Sequence, residues 1–155
     1  MMLGPCRELE GDGPLGLRLW LIDLREACAA QDTTLLASDE LARMRRFRFE
    51  ADRERYLRAH VGLRRLLAHE LGVAPGELAF TPGPHGKPRL AAPHDILDFN
   101  LSHCAHFAVL VYSRIVDVGV DIESDLKWTD DDVLTTARGT LTPSELSALL
   151  ALPAE

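Results

Sequence analysis

The chain has 155 residues, 46% of them hydrophobic and 26% charged, with a formal net charge of −7. That balance belongs to a packed protein of one domain or two small lobes; it excludes disordered and fibrous classes and argues against general nucleic-acid binding. No apolar run approaches the roughly 20 residues that span a bilayer, and "MMLGPCRELEGDG" lacks a secretion-signal core, so a cytoplasmic location without a membrane partner is expected.

Residues 1–16 are rich in Gly and Pro and read as irregular, whereas "LRLWLIDL" (17–24) alternates as a strand does. Cys6, Cys28 and Cys104 are odd in number and lack metal-ligand spacing, so reduced thiols are expected. A short helix is predicted over 38–47, with Ser38 as N-cap and Asp39 and Glu40 in a first turn that favours negative charge.

From 52 to 71, Tyr56, Leu63, Leu67 and Leu71 recur at helical spacing, and Gly72 follows as a stop. Nine of the 17 basic residues lie between Arg43 and Arg65. In an acidic protein such a patch is a solvated helix face or an anion site, and charge alone favours the first. On the helical wheel Arg64 falls within the apolar stripe, with Arg53 and His60 on the same side and Arg58 and Arg65 pointing away. An inward arginine needs a partner, so Arg64 is either an anion ligand or half of an internal salt bridge.

"ELAFTPGPHGKPRL" reads as a strand, a Gly/Pro turn and an extended segment, and its Lys87 taken alone is a surface lysine. Leu97, Phe99 and Leu101 alternate, "FAVLVYS" follows from Phe107, and "VDVGVDIES" alternates again from Val116. Three strands so close in sequence predict an antiparallel meander packed on the long helix, an α+β arrangement. Beyond them "SDLKWTDDD" reads as a polar loop, 133–140 as a helix, and "TPSELSALLAL" as a short amphipathic helix from Thr142.

Asp121 and Glu123 leave one face of their strand with backbones about 7 Å apart, close enough to share a hard cation such as magnesium, which takes oxygen ligands. The alternative is the solvated face of a half-buried sheet. In "FNLSHC", Ser102 could donate to a phosphate or act as a nucleophile, and His103 could donate or act as a base; Asn100 and Ser102 could equally be turn formers. No G-x-S-x-G elbow surrounds Ser102, which rejects an esterase triad, and "HGKP" is not a Walker phosphate loop.

In order, "RRFRFEADRERYLRAHVGLRRLL", "GKP", "FNLSHC" and "VGVDIES" resemble the 4′-phosphopantetheinyl transferase superfamily in its larger, two-lobed, surfactin-synthetase-activating class, over residues 17–152. The resemblance implies a pseudo-two-fold fold in which each lobe sets an antiparallel sheet against a long helix. Residues 17–115 then form a complete first lobe and 116–155 the beginning of a second, incomplete one.

It also implies transfer of the phosphopantetheine arm from coenzyme A to a serine of an acyl, peptidyl or aryl carrier protein of fatty acid, polyketide or nonribosomal peptide biosynthesis, with magnesium on the pyrophosphate. By position, Arg46, Arg64, Lys87, Ser102 and His103 match coenzyme A contacts, and Asp121 and Glu123 match two metal ligands. The family's W-x-x-K-E-A/S-like motif, which carries a third acidic group, does not occur in the 155 residues. Two further departures are Cys104, where Ser or Thr is usual, and Glu50, where some members are basic.

The catalytic set is therefore expected to be incomplete, with His103 the one candidate base and transfer by this chain alone impaired. Three readings follow: a shortened transferase, a cleft completed by a second chain, and a non-catalytic module binding coenzyme A or a carrier protein. A magnesium-dependent phosphohydrolase built on Asp121 and Glu123 is disfavoured.

Overall fold

The structure, a computed structural model, describes residues 2–10, 15–26, 30–124 and 129–152. Cys28 and residues 125–128 of the expected polar loop lie outside them. The alternation in "LRLWLIDL" gives strand β3 (Arg18–Asp23), whose Trp20 and Ile22 enter the core. The N-terminal segment differs from expectation: β1 (Met2–Leu3) pairs with β2 (Cys6–Glu10), which pairs with β3 and buries Cys6 opposite Ile22. The described Gly and Pro residues of that segment, Gly4, Pro5 and Gly16, stand beside the strands and not within them.

Strands β6 (Asp98–His103) and β7 (Phe107–Ser113) complete an antiparallel sheet in the order β1-β2-β3-β7-β6. The central β7 joins segments far apart in sequence, setting Asp23 opposite Phe107 and Arg18 opposite Tyr112. From Ala108 to Ser113 it is buried on both parities, as a central strand covered on both faces must be.

One face of the sheet receives α2 (Glu50–Leu71). Glu50 and Asp52 in its first turn suit the helix dipole, and Gly72 at φ 70° ends it in the left-handed region that glycine adopts without strain. Its Ala59, Leu63, Leu66 and Leu67 pack with Trp20, Ile22, Phe99, Leu110 and Tyr112. Gly62 permits the approach, because a Cβ there would lie 2.8 Å from Ile22 Cδ1.

Helix α1 (Ser38–Arg45) packs on α2 through Leu41 and Met44, which with Phe47 just beyond it gather around buried Leu36, Tyr56 and Val61. Its N-cap is Ala37 rather than Ser38. Alanine has no side-chain acceptor, so only the return half of a capping box forms, with Glu40 Oε2 accepting from Ala37 N at 2.9 Å. Strands β4 (Phe80–Pro82) and β5 (Pro88–Leu90) form a separate hairpin closed by Gly83 N donating to Lys87 O at 2.8 Å.

The expected third strand of the meander is absent. Residues 116–124 join no backbone ladder; Val118, Val120 and Ile122 instead donate their amides to side chains of β6. By their internal contacts the described residues up to Glu123 form one compact unit and those from Ser124 onward another. In the second unit α3 (Asp130–Thr140) begins three residues earlier than predicted, because Thr129 and Asp132 make a full capping box. Helix α4 (Pro143–Leu150) follows with the same device on Thr142 and Glu145. No described helix is long and apolar enough to cross a membrane.

Gly62→Val forces branched carbon into Ile22 and is expected to cost about 1–3 kcal/mol by urea denaturation. Gly139→Ala, where an added Cβ meets nothing within 4 Å, is the control that loses no stability.

Candidate anion and metal site

Successive side chains of β6 leave opposite faces of the sheet. Phe99 and Leu101 pack with the α2 core, so His103 emerges on that side at the strand end, where the core gives way to the polar part of α2. Partial desolvation, then the neighbouring His60, Arg55 and Arg43, hold the His103 imidazole below its usual 6.5. It is therefore neutral at neutral pH in a locally positive field. Ser102 belongs to the opposite parity, so these sequence neighbours do not stand on one face.

Beneath the positive region lies a buried ionic network. Glu40 Oε2 accepts from Arg64 Nε at 2.8 Å and from its Nη2 at 2.5 Å, while Oε1 pairs with His60 Nδ1 at 2.8 Å. Arg64 Nη1 donates to Pro75 O and Leu78 O, each at 2.9 Å, and the guanidinium lies 4.9 Å from the Phe80 ring centroid. Arg64 is 1% exposed and four of its five N–H donors have internal acceptors. Periodicity placed Arg64 inward correctly, and of its two readings the geometry is that of the internal salt bridge.

Burial alone would raise the Glu40 carboxyl, but hydrogen bonds from His60, Arg64 and Ala37 N, with the Arg64 charge, outweigh it and hold the group at about 2. Above the network opens a pocket of about 240 Å³ lined in part by Arg43, Tyr56, His60, Phe80 and Gly86. His60 is stacked on Tyr56 with ring centroids 3.9 Å apart. A more open groove of about 600 Å³ shares Asp39 and Arg43 and adds Ala42, Arg46 and Phe47. Arg43 and Arg46 are exposed and make no ion pair among the described residues. Four other arginines of the patch are occupied: Arg53 donates to Phe47 O, Arg55 pairs with Asp52, Arg58 donates to Leu24 O and Glu54, and Arg65 to Asp32. Arg58 and Arg65 do face away from Arg64, but they are anchored there.

Lys87, at the end of the β4–β5 turn, forms an ion pair with Asp98 and donates to Val118 O at 2.8 Å. An ammonium has three donors, so one N–H remains for a ligand. Ser102 Oγ donates to Asp121 Oδ1 at 2.6 Å and accepts from Ile122 N at 3.2 Å. Asp117, Gly119, Asp121 and Glu123 are exposed, while Val118, Val120 and Ile122 are half-buried, so both candidate metal ligands lie on the outward parity. No group of three or more His, Cys, Asp and Glu placed to hold a metal occurs among the described residues. Two exposed carboxylates nevertheless fit magnesium, which keeps several waters and needs only one or two protein carboxylates.

Sequence reasoning missed Glu40, Arg43 and His60 as a group. Glu40 reads as a first-turn acid that suits the helix dipole, and nothing local marks the residue that will meet Arg64 from another helix. The spacing of Glu40 and Arg43, three apart on α1, was the one available sign that they share a face.

The geometry is that of an α+β lobe whose sheet edge separates the pocket at Arg43 and His60 from a pair of outward carboxylates. Residues 25–114 match the family described as 4′-phosphopantetheinyl transferase, N-terminal. The chain is 36% identical over 144 residues to the 4′-phosphopantetheinyl transferase HetI of Nostoc sp., covering 90% of this chain and 60% of that protein. It is 34% identical over 142 residues to a phosphopantetheinyl transferase of Thraustochytrium sp., covering 85% of this chain and 49% of that one. The chain belongs to the 4′-phosphopantetheinyl transferase family and spans about half to three fifths of the length of these curated relatives.

Two pH effects are expected. The Glu40 carboxyl lies below its ordinary 4.5 in the folded state, so the stability it confers is complete above pH 4.5 and is lost as the pH falls toward 2. In denaturation curves the gap between wild type and Glu40→Gln will therefore close over that window. For His103, proton NMR should show titration below 6.5, moving upward in Arg55→Ala.

Proposed function

We propose that this chain supplies the coenzyme A-binding and magnesium-binding share of a site that moves the 4′-phosphopantetheine arm onto a serine of an acyl, peptidyl or aryl carrier protein. The observation that carries the reading is the pairing, at the end of β6, of a neutral His103 in a positive field with the Ser102–Asp121 hydrogen bond on the other parity. Groups suited to phosphate and groups suited to a hard cation thus meet on adjacent residues.

Phosphoryl transfer requires positioning and charge neutralisation more than covalent chemistry from the protein. The carrier serine oxygen bonds to the phosphorus bearing the pantetheine arm, the pyrophosphate P–O bond breaks, and adenosine 3′,5′-bisphosphate departs while the serine proton passes to a base. Arg46 and Arg43 offer unpaired guanidinium groups to the phosphates, and Lys87 offers its remaining N–H. His103 presents a neutral ring that donates one hydrogen bond to an arriving phosphate oxygen and, being neutral, can also accept a proton. Arg64 acts from below, keeping Glu40, His60 and the Phe80 hairpin in place. Asp121 and Glu123 would hold magnesium, which when bound neutralises charge on the pyrophosphate.

A second reading is a module that binds coenzyme A or a carrier without chemistry; in its favour, no third His, Cys, Asp or Glu among the described residues stands with Asp121 and Glu123 to hold a metal. The two readings part on product. Calorimetry is expected to give magnesium-dependent binding of coenzyme A by the 155-residue chain, weakened about tenfold by Arg46→Ala, in line with about 1.5 kcal/mol for a charge-assisted hydrogen bond. Intact-mass analysis of apo carrier proteins is expected to show slow addition of the phosphopantetheine arm. Binding without any addition selects the second reading, and absence of coenzyme A binding overturns both.

A further inference from the structure

The segment after β7 is held by an unusual set of acceptors. Val118 N donates to Asp98 Oδ1 at 2.8 Å, Val120 N to Asn100 Oδ1 at 2.9 Å, and Ile122 N to Ser102 Oγ at 3.2 Å. Donors and acceptors both advance by two residues, and each pair is 20 residues apart, so the segment runs parallel to β6 in a constant register. The bonds that a parallel ladder would draw from backbone carbonyls come from side-chain oxygens on one face of β6. At the first rung Lys87 also donates to Val118 O, which fixes both sides of that residue.

Register in an extended segment decides which parity faces water, and a slip of one residue inverts every side chain. Here it turns Val118, Val120 and Ile122 inward and Asp121 and Glu123 outward. Each rung has a distinct character. Asp98 also balances Lys87, and Ser102 also binds Asp121, whereas Asn100 gives its carboxamide oxygen to Val120 alone among the described residues. A neutral acceptor suits the middle rung, since a carboxylate there would stand between Asp98 and Asp121 without a cation of its own.

We infer that Asp98, Asn100 and Ser102 form a side-chain register that positions Asp121 and Glu123 for a divalent cation, with Asn100 a positioning residue that touches neither metal nor substrate. The inference rests on the metal reading of those two carboxylates given above. It assigns to β6 a role in metal affinity distinct from the anion-binding role of His103, and it explains why a polar residue recurs at 98, 100 and 102 without a turn to form.

Amide exchange and Mn²⁺ line broadening, both followed by NMR on the 155-residue chain, separate the parts. In Asn100→Ala the Val120 amide is expected to lose at least tenfold in exchange protection, and half-broadening of the Asp121 and Glu123 amides should need about tenfold more Mn²⁺, the low end for loss of a group supporting metal ligands. Asn100→Asp, which keeps an oxygen at the same place, should restore Val120 protection. Ser102→Ala should expose Ile122 in the same way. Unchanged Val120 protection or unchanged Mn²⁺ response in Asn100→Ala overturns the register while leaving the metal reading intact. Wild-type protein in which Mn²⁺ broadens neither amide overturns the metal reading, and the positioning role with it. Loss of β6–β7 amide protection in both alanine variants also overturns the inference, because the rungs would then serve folding as a whole.

Discussion

Much of the first unit depends on satisfying one buried charge. Arg64 comes from the middle of α2, Glu40 from the first turn of α1, and the Pro75 and Leu78 carbonyls from the chain leading into β4. Burying an arginine is costly unless nearly every donor finds an acceptor, so the pair forms only when all three segments are in place. The same pair shapes the pocket. With Arg64 on one carboxylate oxygen and His60 on the other, Glu40 ties the imidazole to the floor of the cavity. Such an arrangement contributes less to net stability than its distances imply, because the desolvation cost offsets most of the attraction. Its larger effect is on placement, since the guanidinium draws its acceptors from α1 and from the chain before β4 at once.

Strand β6 carries the second organising constraint. One parity is sealed against α2 by Phe99 and ends at His103; the other is a row of oxygens that organises the chain 20 residues later. Because the strand has only two sides, the two tasks are separated by geometry yet remain one residue apart. Ser102 and His103 are therefore better understood as the ends of two different networks than as a pair acting on one group.

The parts of this arrangement legible in the sequence are those with a local period. The α2 stripe, the Gly72 stop and the alternation of β3, β6 and β7 follow from side-chain spacing over a few turns or pleats, and even the inward direction of Arg64 came from the wheel. What Arg64 would meet was not legible, because Glu40 lies in another helix and its sequence context suits an exposed acid equally well. Residues 116–123 were misread as a ladder strand for a related reason. Alternation reports an extended chain with one buried side, and it is silent on whether the amides go to carbonyls or to side chains of another strand. The N-terminal strands were missed because the flanking Gly and Pro masked a five-residue element whose support, pairing with β3 and burial of Cys6, is not local. Family resemblance filled part of this gap at the site, since it ordered motifs that no local pattern connects.

The β6 register has one more consequence, for how the protein behaves in a crowded solution. A five-stranded sheet has two open borders at which a foreign strand could add, and long unprotected borders promote aggregation. At one border β1 is two residues long and offers little to pair with. At the other, residues 118–122 run along β6 without continuing the sheet and, tied to it by three side-chain hydrogen bonds, crowd an incoming strand on that face. The segment that presents the carboxylates thereby also acts as a guard rail against edge-to-edge association.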